Sequence, residues 1–219
     1  FYKTCVSHKR KGRRSSKKPR YICTVCKEGL IDKTDWKRHE ETCQERPESF
    51  ECDLCNAVYF LNKDFKKHHA AAHLCNRCTS RDSRKEHAER ARRLRRTRSG
   101  WGCGFCYHFS DKWTERCNHV ASHFDKMGTT IADWNHSAVI YSLLQRPAVR
   151  AEWDAVLRES GQKFLAIDWD PQTTGRTEGY PDIDSTPKLQ DMLEFLVPSG
   201  DAKTLAQMAF DQAVKKVTK

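Results

Sequence analysis

The 219 residues are enough for one ordinary domain or a string of small modules, and 37% hydrophobic against 32% charged residues argue against one large core. Charge is unevenly placed. Residues 1–128 hold 30 Lys and Arg against 16 Asp and Glu, a net of +14, and residues 129–219 hold 10 against 13, a net of −3, which together give +11. No stretch nears the roughly 18 apolar residues of a membrane span, and no secretory signal is visible, although a start at Phe1 reads as a fragment.

In chain order, the segment Lys9–Arg20 (KRKGRRSSKKPR) has no apolar side chain to bury and is predicted disordered. Residues 1–20 then form a basic arm: a nuclear-import signal, a phosphate-binding arm, or a solvated linker. Cys5 and His8 within it fit the tail of a finger cut off at the start.

Two similar modules follow, over 21–46 and 47–74. The first reads Tyr21-x-Cys23-x2-Cys26-x3-Leu30-x5-Trp36-x2-His39-x3-Cys43, the second Phe50-x-Cys52-x2-Cys55-x3-Tyr59-x5-Phe65-x2-His68-x4-His73. Each places a Cys pair on a hairpin turn and two further ligands about one helical turn apart on one face, the spacing of a four-ligand zinc site. Cysteine at 43 in place of histidine is adequate, since thiolate and imidazole both ligate zinc. His69, three residues before Ala72 and four before His73, has acceptable ligand spacing, but His68 follows Phe65 at the regular interval and is preferred.

Residues 75–98 read as a basic connector with an extra pair, Cys75-x2-Cys78. Three readings stay open: a degenerate finger with His87 as third ligand, a site completed by a distant residue such as Cys117, or unligated cysteines. Residues 83–96 contain good helix formers and few apolar ones, which predicts an exposed basic helix.

The third module, 99–125, is Trp101-x-Cys103-x2-Cys106-x12-His119-x3-His123. Ser110 and Arg116 stand where apolar core residues are expected, and Phe109 and Trp113 are the candidate replacements. His108 and His136 read as ordinary surface or packing residues.

Beyond it the pattern is helical. Ile131, Trp134, Ala138 and Tyr141 recur at intervals of three and four up to Pro147, a second helix covers 148–160 and stops at Gly161, and 168–187 reads as a loop rich in Pro and Gly. Two more helices are predicted around Leu189–Leu196 and Leu205–Val214, the first with an acidic-hydrophobic run suited to docking a protein partner. The expected architecture is small zinc-stabilised ββα finger modules plus an all-α C-terminal region, 126–219, packed on the third finger through Phe124, Ile131 and Trp134.

Closed four-ligand zinc supplies folding energy rather than catalysis, and no nucleophile or phosphate-loop motif appears, so no catalytic residue is assigned. Three structural zinc ions are expected, with a fourth near Cys75 and Cys78 as an option. Free thiolates imply a reducing compartment. At helix positions −1, 3 and 6, where a finger reads bases, stand Asp32, Asp35 and Arg38, then Leu61, Asp64 and Lys67, then Lys112, Glu115 and Asn118. Arg38, Lys67, Lys112 and Asn118 are the candidate base contacts. Arg92, Arg93, Arg95 and Arg96 are the candidate phosphate contacts. The acids at groove-facing positions and the irregular linkers weigh against three fingers tracking one groove. The expectation is a DNA-binding transcription regulator with no membrane or small-molecule partner. A protein-interaction scaffold built from the fingers and C-terminal helices is the rival.

The segment from Trp101 to His136 resembles a group of fungal proteins with several Cys2His2-type fingers, grouped with transcription regulators. Cys103, Cys106, Arg116, His119, Val120, His123, Phe124 and Trp134 carry the likeness, and LQDMLEF at 189–195 resembles the downstream part of such chains. The resemblance implies zinc ligation by the residues named, a nuclear location and DNA-linked regulation.

Overall fold

In the computed structural model, residues 18–79, 84–126, 129–161, 167–182 and 184–215 are described, apart from the side chains at 43, 79, 84–86 and 215. The fold is a mixture of helices and small sheets carrying Cys/His clusters able to bind metal. It divides into two units, Phe1–Thr97 and Arg98–Lys219. No helix of the described residues is long and apolar enough to cross a membrane.

The first unit begins with a hairpin, β1 (Tyr21–Ile22) and β2 (Gly29–Leu30), pairing Tyr21 with Leu30. Helix α1 (Lys33–Gln44) packs across it. Trp36 is fully buried, stacks 6.0 Å from Tyr21, and donates its indole N–H to the Ile22 carbonyl at 3.1 Å. Satisfying that N–H lets so large a ring serve as the centre of a two-stranded module.

A second hairpin follows, β3 (Glu48–Glu51) with β4 (Val58–Tyr59), then helix α2 (Asn62–His73). Its aromatic centre is Phe50 against Phe65 at 6.1 Å. Leu74 adopts a left-handed backbone, φ 50°, and the Cys75 N–H bonds the His69 carbonyl at 3.3 Å. This uncommon conformation for a non-glycine residue reverses the chain into the short helix α3 (Asn76–Thr79) and then α4 (Arg84–Ala91).

The exposed basic helix expected over 83–96 is only half present. Helix α4 ends at Ala91, and Arg92–Leu94 form β5, an antiparallel third strand on β3 with Glu48 opposite Leu94 and Phe50 opposite Arg92. A run of arginines carries no alternation that would announce a strand; the open edge of β3 captures it.

In the second unit, β6 (Trp101–Gly102) and β7 (Phe109–Ser110) form a hairpin followed by helix α5 (Trp113–Asp125). A 3-10 turn at Ile131–Asp133 leads to α6 (His136–Leu144), with residues 137–144 all buried. Pro147 opens α7 (Pro147–Ser160), and Gly161 closes it in the left-handed region at φ 66°, the geometry glycine adopts without penalty. Around α6 and α7 lie α9 (Leu189–Glu194) and α10 (Ala202–Asp211), filling a core with Ile140, Leu143, Trp153, Leu193 and Ala206 at its centre.

The C-terminal region is not purely helical. Strands β8 (Ile167–Asp168) and β9 (Val214–Lys215) pair antiparallel, and the predicted loop contains a short helix α8 (Pro171–Thr174), capped by Asp170 accepting from the Gln172 N–H at 2.9 Å. Two-residue strands have no periodicity to read. The Asp-Pro start of α8 was a visible cap signal.

Candidate metal centres

Three hairpin-helix modules bring Cys and His together as follows. In the second, Cys52, Cys55, His68 and His73 place one ligand atom each within 4.8 Å of all the others, and in the third Cys103, Cys106, His119 and His123 do the same. In the first, Cys23, Cys26 and His39 converge; the expected fourth ligand, Cys43, lies on α1, but its side chain falls outside the described residues. Cys5, His8 and most of the basic arm also lie outside them.

Individual separations suit one small cation per cluster. Cys26 Sγ is 3.2 Å from His39 Nε2, Cys52 Sγ is 3.3 Å from His73 Nε2, and Cys55 Sγ is 3.4 Å from His68 Nε2. In the third cluster Cys106 Sγ lies 3.2 Å from His119 Nε2 and 3.5 Å from His123 Nε2, and the two imidazole nitrogens are 3.2 Å apart. Ligands about 2.0–2.3 Å from a central zinc ion stand roughly 3.3–3.8 Å apart at tetrahedral angles. The match is close.

The electrostatics point the same way. Burial pushes the Cys103 thiol up to about 12, with the neighbouring Cys106 adding to the rise. Burial pushes His119 down to about 4, helped by His108 and His123. A buried thiol that resists ionising beside two imidazoles held neutral forms a site that gains from a divalent cation, which holds its thiolate ionised.

The supports around each cluster differ. In the first, Glu40 is fully buried beside His39. Its carboxylate accepts from the Thr24 backbone N–H at 2.6 Å inside the Cys23–Cys26 turn, and from Gln44 Nε2 at 2.6 Å. In the third, Ser142 Oγ lies 3.0 Å from the carbonyls of both Cys103 and Cys106, and the Asn135 N–H donates to the Gly104 carbonyl at 2.8 Å. Close approach demands the glycines here: a Cβ on Gly102 would lie 2.3 Å from the Val139 carbonyl oxygen, and one on Gly104 would lie 2.4 Å from the Trp134 ring. Trp134 and Phe124 each meet Phe105 edge-on, at 5.1 and 5.3 Å. Ile131 is half-buried.

The third module's own centre departs from the expected substitution. Arg116 itself is buried, its guanidinium 4.8 Å from the Trp113 ring, while Phe109 turns to pack on the core around α6 with Arg146 6.0 Å from its ring. An arginine fits this core position because a planar cation stacks on an aromatic face.

The open reading of Cys75 and Cys78 with His87 gains a fourth member missed in the sequence: His69, Cys75, Cys78 and His87 place each ligand atom within 4.8 Å of the rest. His69 is not a competitor for His68; it points to the other side of α2, where it is 1% exposed. A search for ligands downstream of Cys78 does not meet it, because it precedes the pair. Its sequence signal was the adjacent pair His68-His69, two ligands on neighbouring helix positions facing apart. Cys117, the suggested distant ligand, belongs to none of the Cys/His groups among the described residues.

The candidate nucleic-acid residues fall into two sets. Arg38, Lys67 and Asn118 are exposed on their helices, and Lys112 is exposed at the N-cap of α5. Arg38 pairs with Asp35 at 2.5 Å and Lys112 with Glu115 at 3.2 Å. The arginines of the connector are engaged within their own unit: Arg92 with Glu48 and Glu89, Arg93 with Glu51 at 3.3 Å, and Arg95 with the Arg46 carbonyl at 3.0 Å and the Phe60 ring at 4.6 Å. Arg96 also has interactions of its own. His136, read as a packing residue, hydrogen-bonds Thr174 Oγ1 at 2.9 Å, and burial pushes it down to about 4.

The chain matches no protein-family model, no curated protein and no solved structure.

Proposed function

We propose that the Cys/His clusters are structural zinc sites of ββα fingers and that the chain is a zinc-dependent DNA-binding regulator acting in the nucleus, as the resemblance to fungal multi-finger proteins also implies. One observation carries this reading. In all three modules the helix histidines turn toward the hairpin cysteines, while Arg38, Lys67 and Asn118 on the helices and Lys112 at a helix N-cap are exposed, as residues that meet the major groove must be. In the third module α6 meets the hairpin at Gly102 and Trp134 meets it at Gly104, while Lys112 at the N-cap of α5 and Glu115 and Asn118 on it stay exposed. The ion pairs that hold Arg38 and Lys112 are between largely exposed partners. Such pairs contribute about 0–1 kcal/mol and exchange readily for a phosphate or a guanine edge.

A second reading, a protein-interaction scaffold, is favoured by the pairing of Arg92 and Arg93 with Glu48 and Glu51, which neutralises part of the basic connector within the fold. Fluorescence anisotropy of the zinc-loaded chain on a randomised duplex pool, over a salt series, separates the two. Enrichment of a sequence subset that loses affinity in Arg38→Ala or Lys112→Ala supports base reading. Uniform, steeply salt-dependent binding reduces the DNA role to phosphate attraction, and no binding leaves the scaffold.

A further inference from the structure

We propose that His69, Cys75, Cys78 and His87 hold a fourth zinc ion, and that Asp53, inside the Cys52–Cys55 turn of the second module, positions its ligand His69. The proposal rests on the reading of the other clusters as zinc sites and extends it to a two-metal unit built on one helix.

The geometry is specific. His87 presents Nδ1 to the cysteines, 3.3 Å from Cys78 Sγ and 3.6 Å from Cys75 Sγ. His69 bonds Asp53 Oδ1 through Nε2 at 2.8 Å, while its Nδ1 is buried with no hydrogen-bond partner among the described residues. A buried imidazole nitrogen without a partner is costly. Aimed into a group of two thiols and a second imidazole, it is the missing ligand atom. The other oxygen of Asp53 lies 3.9 Å from His87 Nε2. The carboxylate thus holds the outer nitrogen of His69, the carboxylate–histidine–metal arrangement that fixes tautomer and raises ligand basicity, and stands beyond hydrogen-bond distance of His87. Two sulfurs and two nitrogens in tetrahedral reach select zinc among common divalent ions.

The arrangement joins two sites. His68 and His69 are adjacent on α2 and serve different ions. Cys52 and Cys55 ligate the second-module ion, and Asp53 between them orients His69 of the fourth. The left-handed turn at Leu74 and the capture of β5 by β3 are what bring Cys75, Cys78 and His87 onto this face of α2. Loss of the fourth ion should therefore loosen β5 as well as α3 and α4.

Zinc content of the full chain, by elemental analysis against protein concentration, is measured for the parent, Cys78→Ser and Asp53→Asn. The proposal predicts one ion fewer per chain in Cys78→Ser. It predicts an unchanged count in Asp53→Asn at saturating zinc, with about 10–100-fold weaker retention of one ion under chelator competition. Long-range 1H–15N spectra of the zinc-loaded parent supply a readout independent of any variant's folding. His69 and His87 should be metal-bound at Nδ1 and protonated at Nε2, opposite to the tautomer of His39, His68, His73, His119 and His123. An equal zinc count in Cys78→Ser, or a proton on His69 Nδ1, overturns the fourth site and leaves the other three standing. A parent chain that takes up no zinc overturns both.

Discussion

In the first unit the cluster of buried apolar side chains around α2 consists of Phe50, Phe65, Cys78, Ala88 and Ala91, whereas in the second fifteen buried hydrophobic residues surround α6 and α7. The difference sets what holds each unit together. Burying a large side chain contributes roughly 1.5–3 kcal/mol, and fixing each residue's backbone costs roughly 1–2 kcal/mol. Two aromatic rings per module cannot offset the ordering of a hairpin and a helix. A structural zinc ion contributes about 10–16 kcal/mol in finger peptides. On the proposed zinc reading the second unit combines both devices, because its Cys/His cluster is seated on that helical core.

The sharpest way to break this contrast is in the helical core. Trp153 is fully buried and lies 6.0 Å from Trp169. Trp153→Ala should destabilise the second unit by about 3–5 kcal/mol, read as a lower denaturation midpoint, with the first unit's transition unmoved. A shift in both transitions would show that the units do not unfold separately.

A smaller effect comes from the ion cluster at Glu194, which is 1% exposed. It accepts from Arg98 Nε at 2.6 Å, from Arg176 at 2.8–3.1 Å, and from Gln190 at 2.8 Å. Burial alone would raise its pKa, but Arg176 and Arg98 outweigh it and hold the carboxyl at about 2, below the ordinary 4.5. A pKa depressed in the folded state gives stability that is complete above about 4.5 and lost as pH falls toward 2. Glu194→Gln should cost about 3 kcal/mol at pH 7, since it leaves two arginines facing an uncharged buried group, and should flatten the acid dependence of the second unit between pH 4.5 and 2. An unchanged acid profile would remove Glu194 as its source.

The smallest change tests how the metal cluster is seated. Gly104→Ala should cost about 1–3 kcal/mol through the clash with Trp134 and raise the zinc-release rate of the third cluster alone, followed by chelator-induced spectral change. Equal release from parent and variant would mean that Trp134 does not brace the Cys103–Cys106 turn.

Much of both units was legible in the sequence, for a physical reason in each case. Cys and His spacing marks all three modules, and Trp36 and Phe65, three residues before the first ligand histidine, mark the first two, because side chains that must converge on one point leave little freedom in chain path. Pro147 and Gly161 bound α7, because each constrains φ in a way few residues do. Strand β5 was not legible, since pairing with β3 is decided by a partner distant in sequence (Arg92 against Phe50) and not by its own pattern. His69 was missed because its two sides, a helix face and a reversed chain, meet only in three dimensions. Arg116 was read as a flaw in a core where it stacks on Trp113.

The most direct test of the account is hydrogen exchange by mass spectrometry before and after chelation of the full chain. If zinc holds the first unit and burial holds the second, chelation should abolish amide protection over 21–79 and 84–94 while α6, α7 and α10 keep theirs. Protection of the first unit that survives removal of all metal would contradict the central claim.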